Sequence, residues 1–278
     1  MNIYGDESSV TEFAFQVQPP WYRTIVAFIN YIILLSVFIW FIVKLNIRRL
    51  EYEKVKLEGI VVERTAEIRQ QKDEIEKQKE EITDSIKYAK RIQTAILPPD
   101  EIISANLPEH FILFKPRDIV SGDFYWMKQI GDFTLLAAAD CTGHGVPGAF
   151  MSMLGIAFLN EIASHKDNIT SNEILNELRD KVKQSLRQTG KEGEAKDGMD
   201  IAFCVINRKL MKMHYAGAYN PLYLYRYKNH PASIDTGCVS ESDSHILYEI
   251  KADKMPIGIH ISEKEGFTNH ELDLKPGD

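Results

Sequence analysis

Two aspartates and the glycine turn between them carry the first chemical hint in this chain. The stretch "SGDFYWMKQIGDFTLLAAADCTGHG", Ser121 to Gly145, holds two apolar runs joined by Gly131-Asp132, a dipeptide suited to a two-residue hairpin turn. Counting outward from that turn sets Asp123 opposite Asp140. Residues directly opposed on one face of a ladder have Cβ atoms about 5 Å apart, and two carboxylates so placed repel each other. A divalent cation removes that cost, and oxygen donors select magnesium, manganese or calcium over zinc. Gly122, Gly143 and Gly145 leave room for backbone carbonyls and a phosphate to come close. The same residues also fit plain turn chemistry, with Asp123 opening a strand and Asp140 capping the helix after Pro147. A bulge would break the register altogether. "DGMD", Asp197 to Asp200, has the same two readings: a carboxylate beneath the same face, or a turn.

The elements that must position these residues lie in the second half of the chain. "DIAFCVI", "LMKMHYAGA" and "LYLYRY" read as strands. "TSNEILNELRDKVKQSLRQTG" reads as an amphipathic helix, with Thr170 and Glu173 as a capping box, Gly190 as its stop, and Ile174, Leu175, Leu178, Val182 and Leu186 on one face. "PGAFMSMLGIAFLNEIASH" is apolar nearly all round and is expected to be a buried helix.

The first half is built differently. Phe13, Phe15 and Val17 alternate with polar neighbours, as in one half-buried strand. Thr24 to Val43 is uncharged and long enough to cross a bilayer core, with Trp21 and Tyr22 as anchors at one end and Lys44, Arg48 and Arg49 at the other. A secretory leader would start basic and have a shorter core. Only Arg23 precedes the span, so the positive-inside rule places everything after Val43 in the cytoplasm. From Leu45 to Ile96 the chain reads as one long helix. Val61, Ile68, Ile75, Ile82, Ala89 and Ile96 recur every seven residues, while Gln71, Gln78 and Ser85 make the second seam polar. Such a weak coil is either a static spacer or a signalling helix able to change register.

Composition removes several classes. A net charge of −7 argues against a nucleic-acid binder working through a basic face. Cys141, Cys204 and Cys238 are far apart and form no CxxC pair, which argues against a zinc site or a disulfide framework. A receptor histidine kinase would share the span-plus-coil layout, but it needs a histidine on the helix after the membrane, and none occurs before His110.

"SGDFYW" followed by "ADCTGHGVPGAFMSMLG", with "YAKRIQTAILPP" before and "YAGAYNPLYLYR" after, resembles the metal-dependent protein phosphatases, in particular the SpoIIE-type branch of the PPM family. The resemblance runs from about Tyr88 to the end. It implies an α+β fold: after the transmembrane helix and the coiled-coil helix, an αββα sandwich of two antiparallel sheets flanked by helices. It implies hydrolysis of phosphoserine and phosphothreonine on a phosphoprotein with two Mn2+ or Mg2+ ions. Asp140 would bridge the ions, Cys141 would offer its backbone carbonyl, and Asp123 would act on the metals directly or through water. No covalent intermediate is implied, so Cys141 need not be a nucleophile. His144 would either donate a proton to the leaving oxygen or cap the following helix. Gln93 and Pro98 fall in a segment resembling the family's regulatory helix, although a helix simply ending before Pro98 and Pro99 reads the same way. "AYNP" places Tyr219 where the family usually has histidine.

The expected organisation is an extracytoplasmic sensor end or tail (1–20), a transmembrane helix (21–44), a coiled-coil signalling helix (45–97) and a phosphatase domain (98–278). The expected setting is the bacterial inner membrane, single-pass, as a homodimer through the coil. The family's "SDG" motif, with a further metal aspartate, follows a stretch like "LKPGD"; because the sequence stops at Asp278, a fragment with an incomplete ligand set is expected. A non-catalytic scaffold or pseudophosphatase that binds a signalling partner is the alternative.

Overall fold

The computed structural model describes residues 12–18, 20–164, 170–191, 194, 196–230, 237–260 and 265–278. They divide into two compact units, Met1–Lys77 and Gln78–Asp278.

In the first unit residues 12–18 are extended and exposed without strand pairing, Phe13 and Phe15 being 88% and 85% accessible. The half-buried strand expected there is absent among the described residues, because alternation makes a strand only when another strand accepts its hydrogen bonds. A single 3-10 turn, Trp21–Arg23, precedes helix α1 (Ile25–Ile96). The helix runs without interruption through the apolar stretch and the Glu/Lys/Gln-rich stretch. Its most apolar 18-residue window has a mean hydropathy of 2.6 and is long and apolar enough to cross a membrane by length and composition. Surface pairs such as Arg49–Glu53 and Lys72–Glu76 decorate the later turns; each is worth only about 0.2–0.5 kcal/mol. Pro98 and Pro99 end the helix, since a residue before proline is pushed out of the α region.

The second unit is an antiparallel sandwich. After α2 (Asp100–Asn106) come β1 (Phe124–Ile130) and β2 (Phe133–Cys141), then α3 (Gly145–Ile162) and α4 (Ser171–Ser185). β3 (Met199–Asn207), β4 (Lys212–Ala218), β5 (Leu222–Tyr227), β6 (Gly237–Glu241), β7 (His245–Ile250) and β8 (His270–Asp273) complete it. One sheet has the order β1-β2-β3-β4-β8 and the other β5-β7-β6.

Period-two patterning decides which face each strand buries. Met199, Ile201, Phe203 and Val205 of β3 point into the core under α3 and α4, with Leu135, Ala137 and Ala139 of β2 beside them. The alternate residues Ala202, Cys204 and Ile206 face the second sheet, where Tyr215, Leu224, Tyr248 and Ile250 form a smaller core. The helices pack on the five-stranded sheet. Tyr223, Tyr225 and Tyr227 on the outer face of the three-stranded sheet are exposed, and no helix covers that face among the described residues. The expected four-layer sandwich is therefore seen here as three layers.

Two local expectations also change. Thr170 does precede α4, but its side chain makes no capping bond, and the helix stops at Ser185, five residues before Gly190. Helix α3 is not buried all round: Gly148, Met151, Gly155 and Leu159 are buried, whereas Phe150 is 67% accessible. An apolar composition fixes no face when the sheet needs only one.

Candidate active site

The hairpin forms as the turn chemistry requires. Gly131 adopts φ +53°, Ile130 pairs with Phe133, and the register runs without a bulge to Phe124 opposite Ala139. Asp123, the next residue outward, meets Asp140 at the sheet end, and the two carboxyl groups are in hydrogen-bond contact. Strand β3 extends the row, because Asp200 pairs directly with Asp140 in the β2–β3 ladder. "DGMD" thus supplies a strand residue, not a turn. Three aspartates stand side by side, Asp140 and Asp200 on β2 and β3 and Asp123 just before β1, on the sheet face turned away from the helices.

Their electrostatics are those of crowded anions. Burial, then the hydrogen bond with Asp140 and its charge, pushes the Asp123 carboxyl up from the ordinary carboxylate range. Burial and then the Asp140 charge do the same to Asp200. The Cys141 thiol, buried on the opposite face, is pushed well above the usual thiol range by burial first and by the three aspartates next, which makes it a poor nucleophile. A hard divalent cation fits this donor set: carboxylate oxygens that repel in its absence, with the Cys141 carbonyl turned toward the same loop. Among the described residues no three carboxylate, imidazole or thiol groups close around one point. The aspartates form an open row, not a cage.

Glycines hold the two site loops together. A Cβ on Gly122 would lie 2.8 Å from the Gly143 carbonyl oxygen, and one on Gly148 would lie 2.5 Å from the same atom. The loop before Asp123, the loop after Asp140 and the first turn of α3 are thus in backbone contact, which the glycine pattern hinted at. Gly148→Ala is expected to cost about 1–3 kcal/mol, because the obstacle is backbone and cannot rotate away. Urea unfolding of the variant tests this, and wild-type stability would show that the loops are free to part.

Gln93, in the last turns of α1, fastens the same loop. Its amide nitrogen donates to the Ser121 carbonyl at 2.6 Å and to Ser152 Oγ at 2.8 Å, and its oxygen accepts from the Ser121 N–H at 3.0 Å. At 6% accessibility this is a buried and fully satisfied amide, more than a helix ending before two prolines requires. His144 sits at the N-cap position of α3 but makes no side-chain capping bond. Its Nδ1 instead pairs with Asp118 Oδ2 at 3.0 Å. Asp118 drew no attention in the sequence, since a lone acid in a loop has no local signature.

On the far side of the row, Tyr219 adopts φ +57°, a left-handed conformation rare for an aromatic residue. Its hydroxyl meets His260 Nε2 at 3.2 Å, while Asn220 donates to the Asp200 carbonyl at 3.1 Å and so ties this turn to the aspartates. A cavity of about 530 Å3 opens from the row between β1, β2 and residues 110–115, with Asp123, Asp140 and Asn220 at one end and Tyr125, Met127 and Leu136 along its walls.

The profile of Stage II sporulation protein E (SpoIIE) matches residues 131–278, more than half of the chain. The SiaA-PP2C domain of Pseudomonas aeruginosa is 32% identical over 72% of this chain and 70% of that one, with a TM-score of 0.56. The chain belongs to the SpoIIE family. Its second unit is accordingly a SpoIIE-type phosphatase domain of the PPM class, whose members are metal-dependent phosphatases. The PP2C domain of SpoIIE from Bacillus subtilis aligns over 56% of this chain and 38% of that one at 18% identity and a TM-score of 0.39. RsbX, solved in complex with magnesium, aligns over 59% and 66% at 13% identity and 0.40. No curated protein sequence matches the chain.

Proposed function

We propose that the protein is a membrane-anchored bacterial signalling phosphatase that hydrolyses phosphoserine or phosphothreonine on a protein substrate, using two Mn2+ or Mg2+ ions. The observation that carries this reading is the row Asp123, Asp140 and Asp200 at the open end of the sandwich. Asp140, in the middle, would be the central holder of the ions; Asp123 and Asp200 on either side would contribute further carboxylate oxygens, and the Cys141 carbonyl would add a neutral donor. When bound, the ions supply a nucleophile from water at neutral pH and neutralise charge on the phosphoryl oxygens. The protein's own part is to hold the donors in register through the hairpin, to keep Cys141 out of the chemistry, and to offer His144 as a proton donor to the leaving oxygen.

The layout proposed for the whole is a short sensor end or tail (1–20), a membrane span (21–44), a coiled-coil helix (45–97) and the phosphatase domain (98–278). Ile25 to Val43 support the span: all but Ala27 are exposed and none is charged. The basic residues after it support a cytoplasmic domain at the inner membrane. Val61, Ile68, Ile75 and Ile82 are each more than 60% accessible and support pairing of two copies along the helix. The competing reading, a non-catalytic scaffold, is favoured by one feature, the lack of a closed three-ligand cluster among the described residues.

Phosphate release from a phosphoserine peptide by the protein in proteoliposomes decides between them. Turnover is expected with manganese and none with chelator. No release in either condition would leave the scaffold, and equal release in both would overturn the metal-dependent mechanism. Protease added outside intact spheroplasts should spare the residues after Val43, and cleavage there would overturn the topology.

A further inference from the structure

We propose that Asp118 is a positioning residue that holds a proton on Nδ1 of His144, so that the ring offers Nε2 to the serine or threonine oxygen leaving the phosphate. The proposal rests on the phosphatase reading and goes beyond it by assigning a residue and a proton position.

Three observations converge. First, Oδ2 of Asp118 and Nδ1 of His144 are 3.0 Å apart, and because a carboxylate can only accept, a hydrogen bond there requires the proton on Nδ1. Second, His144 occupies the N-cap of α3 yet makes no capping bond, so the side chain is committed to Asp118 and not to the helix. Third, Nε2 has no hydrogen-bond partner among the described residues, and the imidazole is 66% accessible, open to an incoming substrate. The backbone ensures that the pair meets. Asp118 lies five residues before Asp123 and His144 four after Asp140. The two loops are locked by Gly122 against the Gly143 carbonyl, and the Cβ that Gly145 lacks would stand 3.6 Å from Asp118 Oδ2. Both partners are therefore delivered to the same end of the sandwich as the aspartate row.

The chemistry is balanced. Water oxygen forms the new bond to phosphorus, and the bond from phosphorus to the seryl oxygen breaks. The imidazolium of His144 gives its Nε2 proton to that oxygen and is left neutral, with the Nδ1 proton kept on the side of Asp118. The proton lost by the attacking water passes to solvent, from which Nε2 is reloaded. Without Asp118 the ring is free to rotate, so a smaller fraction of encounters aims the Nε2–H of the imidazolium at the leaving group.

Two readouts test this. Long-range proton–nitrogen NMR correlations of His144 at a pH where the ring is neutral should show the proton on Nδ1 in wild type. The signature should persist in Asp118→Asn, which keeps an acceptor oxygen, and be lost in Asp118→Ala. In turnover, Asp118→Ala should fall about 30-fold on a phosphoserine peptide, whose alkoxide leaving group needs the proton, but only about threefold on p-nitrophenyl phosphate, whose leaving group does not. His144→Ala should show the same selectivity, more strongly. An unchanged ring signature in Asp118→Ala, or equal losses on both substrates, would overturn the proposal. If wild type hydrolyses neither substrate with manganese, the phosphatase reading fails by itself. The NMR signature then still decides the pairing, and the assignment of a leaving-group role to it falls.

Discussion

The Asp140→Asn protein is expected to lose about a thousandfold in manganese-dependent hydrolysis, the equivalent of roughly 4 kcal/mol of transition-state stabilisation. Its metal-free fold is expected to melt slightly higher than wild type. Both effects come from the same position. Asp140 is flanked by Asp123 on one side and Asp200 on the other, so in the proposed site it would be the donor that no neighbour can replace, and it is the charge that both neighbours feel. The amide introduced by the substitution removes that charge and can donate to the carboxylates beside it.

Opposed like charges cost up to about 1 kcal/mol, less at this partly exposed edge, which in a domain of this size moves the melting point by roughly 2–4 °C at most. The pH dependence follows from the raised pKa values of Asp123 and Asp200. A carboxyl whose folded pKa lies above its unfolded value favours the fold when protonated, and that advantage is lost as pH rises through the folded pKa. The metal-free wild type should therefore lose stability as pH climbs out of the carboxylate range. The variant should show a shallower loss, because burial still raises both groups. Manganese at about a hundred times its dissociation constant should add roughly 2.7 kcal/mol to wild type and nothing to the variant. Differential scanning calorimetry with and without manganese reads all three outcomes, and a wild-type manganese shift in Asp140→Asn would remove the residue from the centre of the site.

The second large effect is expected at Gln93, which never touches the aspartates. Gln93→Leu keeps the volume but strands the buried Ser121 N–H, and leaves its carbonyl only the 3.2 Å approach of Ser152 Oγ. Each buried polar group left without a partner costs about 1–3 kcal/mol, so a loss of around 3 kcal/mol is expected in urea unfolding. The consequence for function is larger than the stability change implies. Ser121 and Gly122 run directly into Asp123, and outer partners that orient a metal ligand are worth about 10–100-fold in affinity. Manganese titration of Gln93→Leu at a temperature where it is fully folded should show a loss of that size. A variant with wild-type affinity would make Gln93 a packing residue only. The same residue gives the last turns of α1 a physical grip on the loop that leads into Asp123, since any change that withdraws those turns withdraws both hydrogen bonds to Ser121.

What could be read from residues alone was what adjacent residues decide among themselves. A glycine able to take φ +53° followed by aspartate makes the turn, the turn sets the register, and the register sets Asp123 beside Asp140 across a span of eighteen residues. The long helix and strands β1 to β5 follow in the same way from local propensity and from periods of 3.6 and 2.0, whereas β6, β7 and β8 carry no such signal strong enough to read. Those signals fail where a neighbour must be supplied. Phe13, Phe15 and Val17 alternate like a strand and form none among the described residues, and Phe150 is as apolar as its helix neighbours yet stands in solvent.

Only the tertiary structure decided the rest of the site. Asp200 joins the row because β2 pairs with β3, a contact between segments about sixty residues apart that no turn dictates. Asp118 finds His144 because Gly122 lets one loop lie against another, and Gln93 finds Ser121 because the end of a helix packs on a loop twenty-eight residues later. Each of these contacts requires loop closure before it yields any energy, so its partner is chosen by the packing of the whole domain and leaves no pattern in the residues beside it.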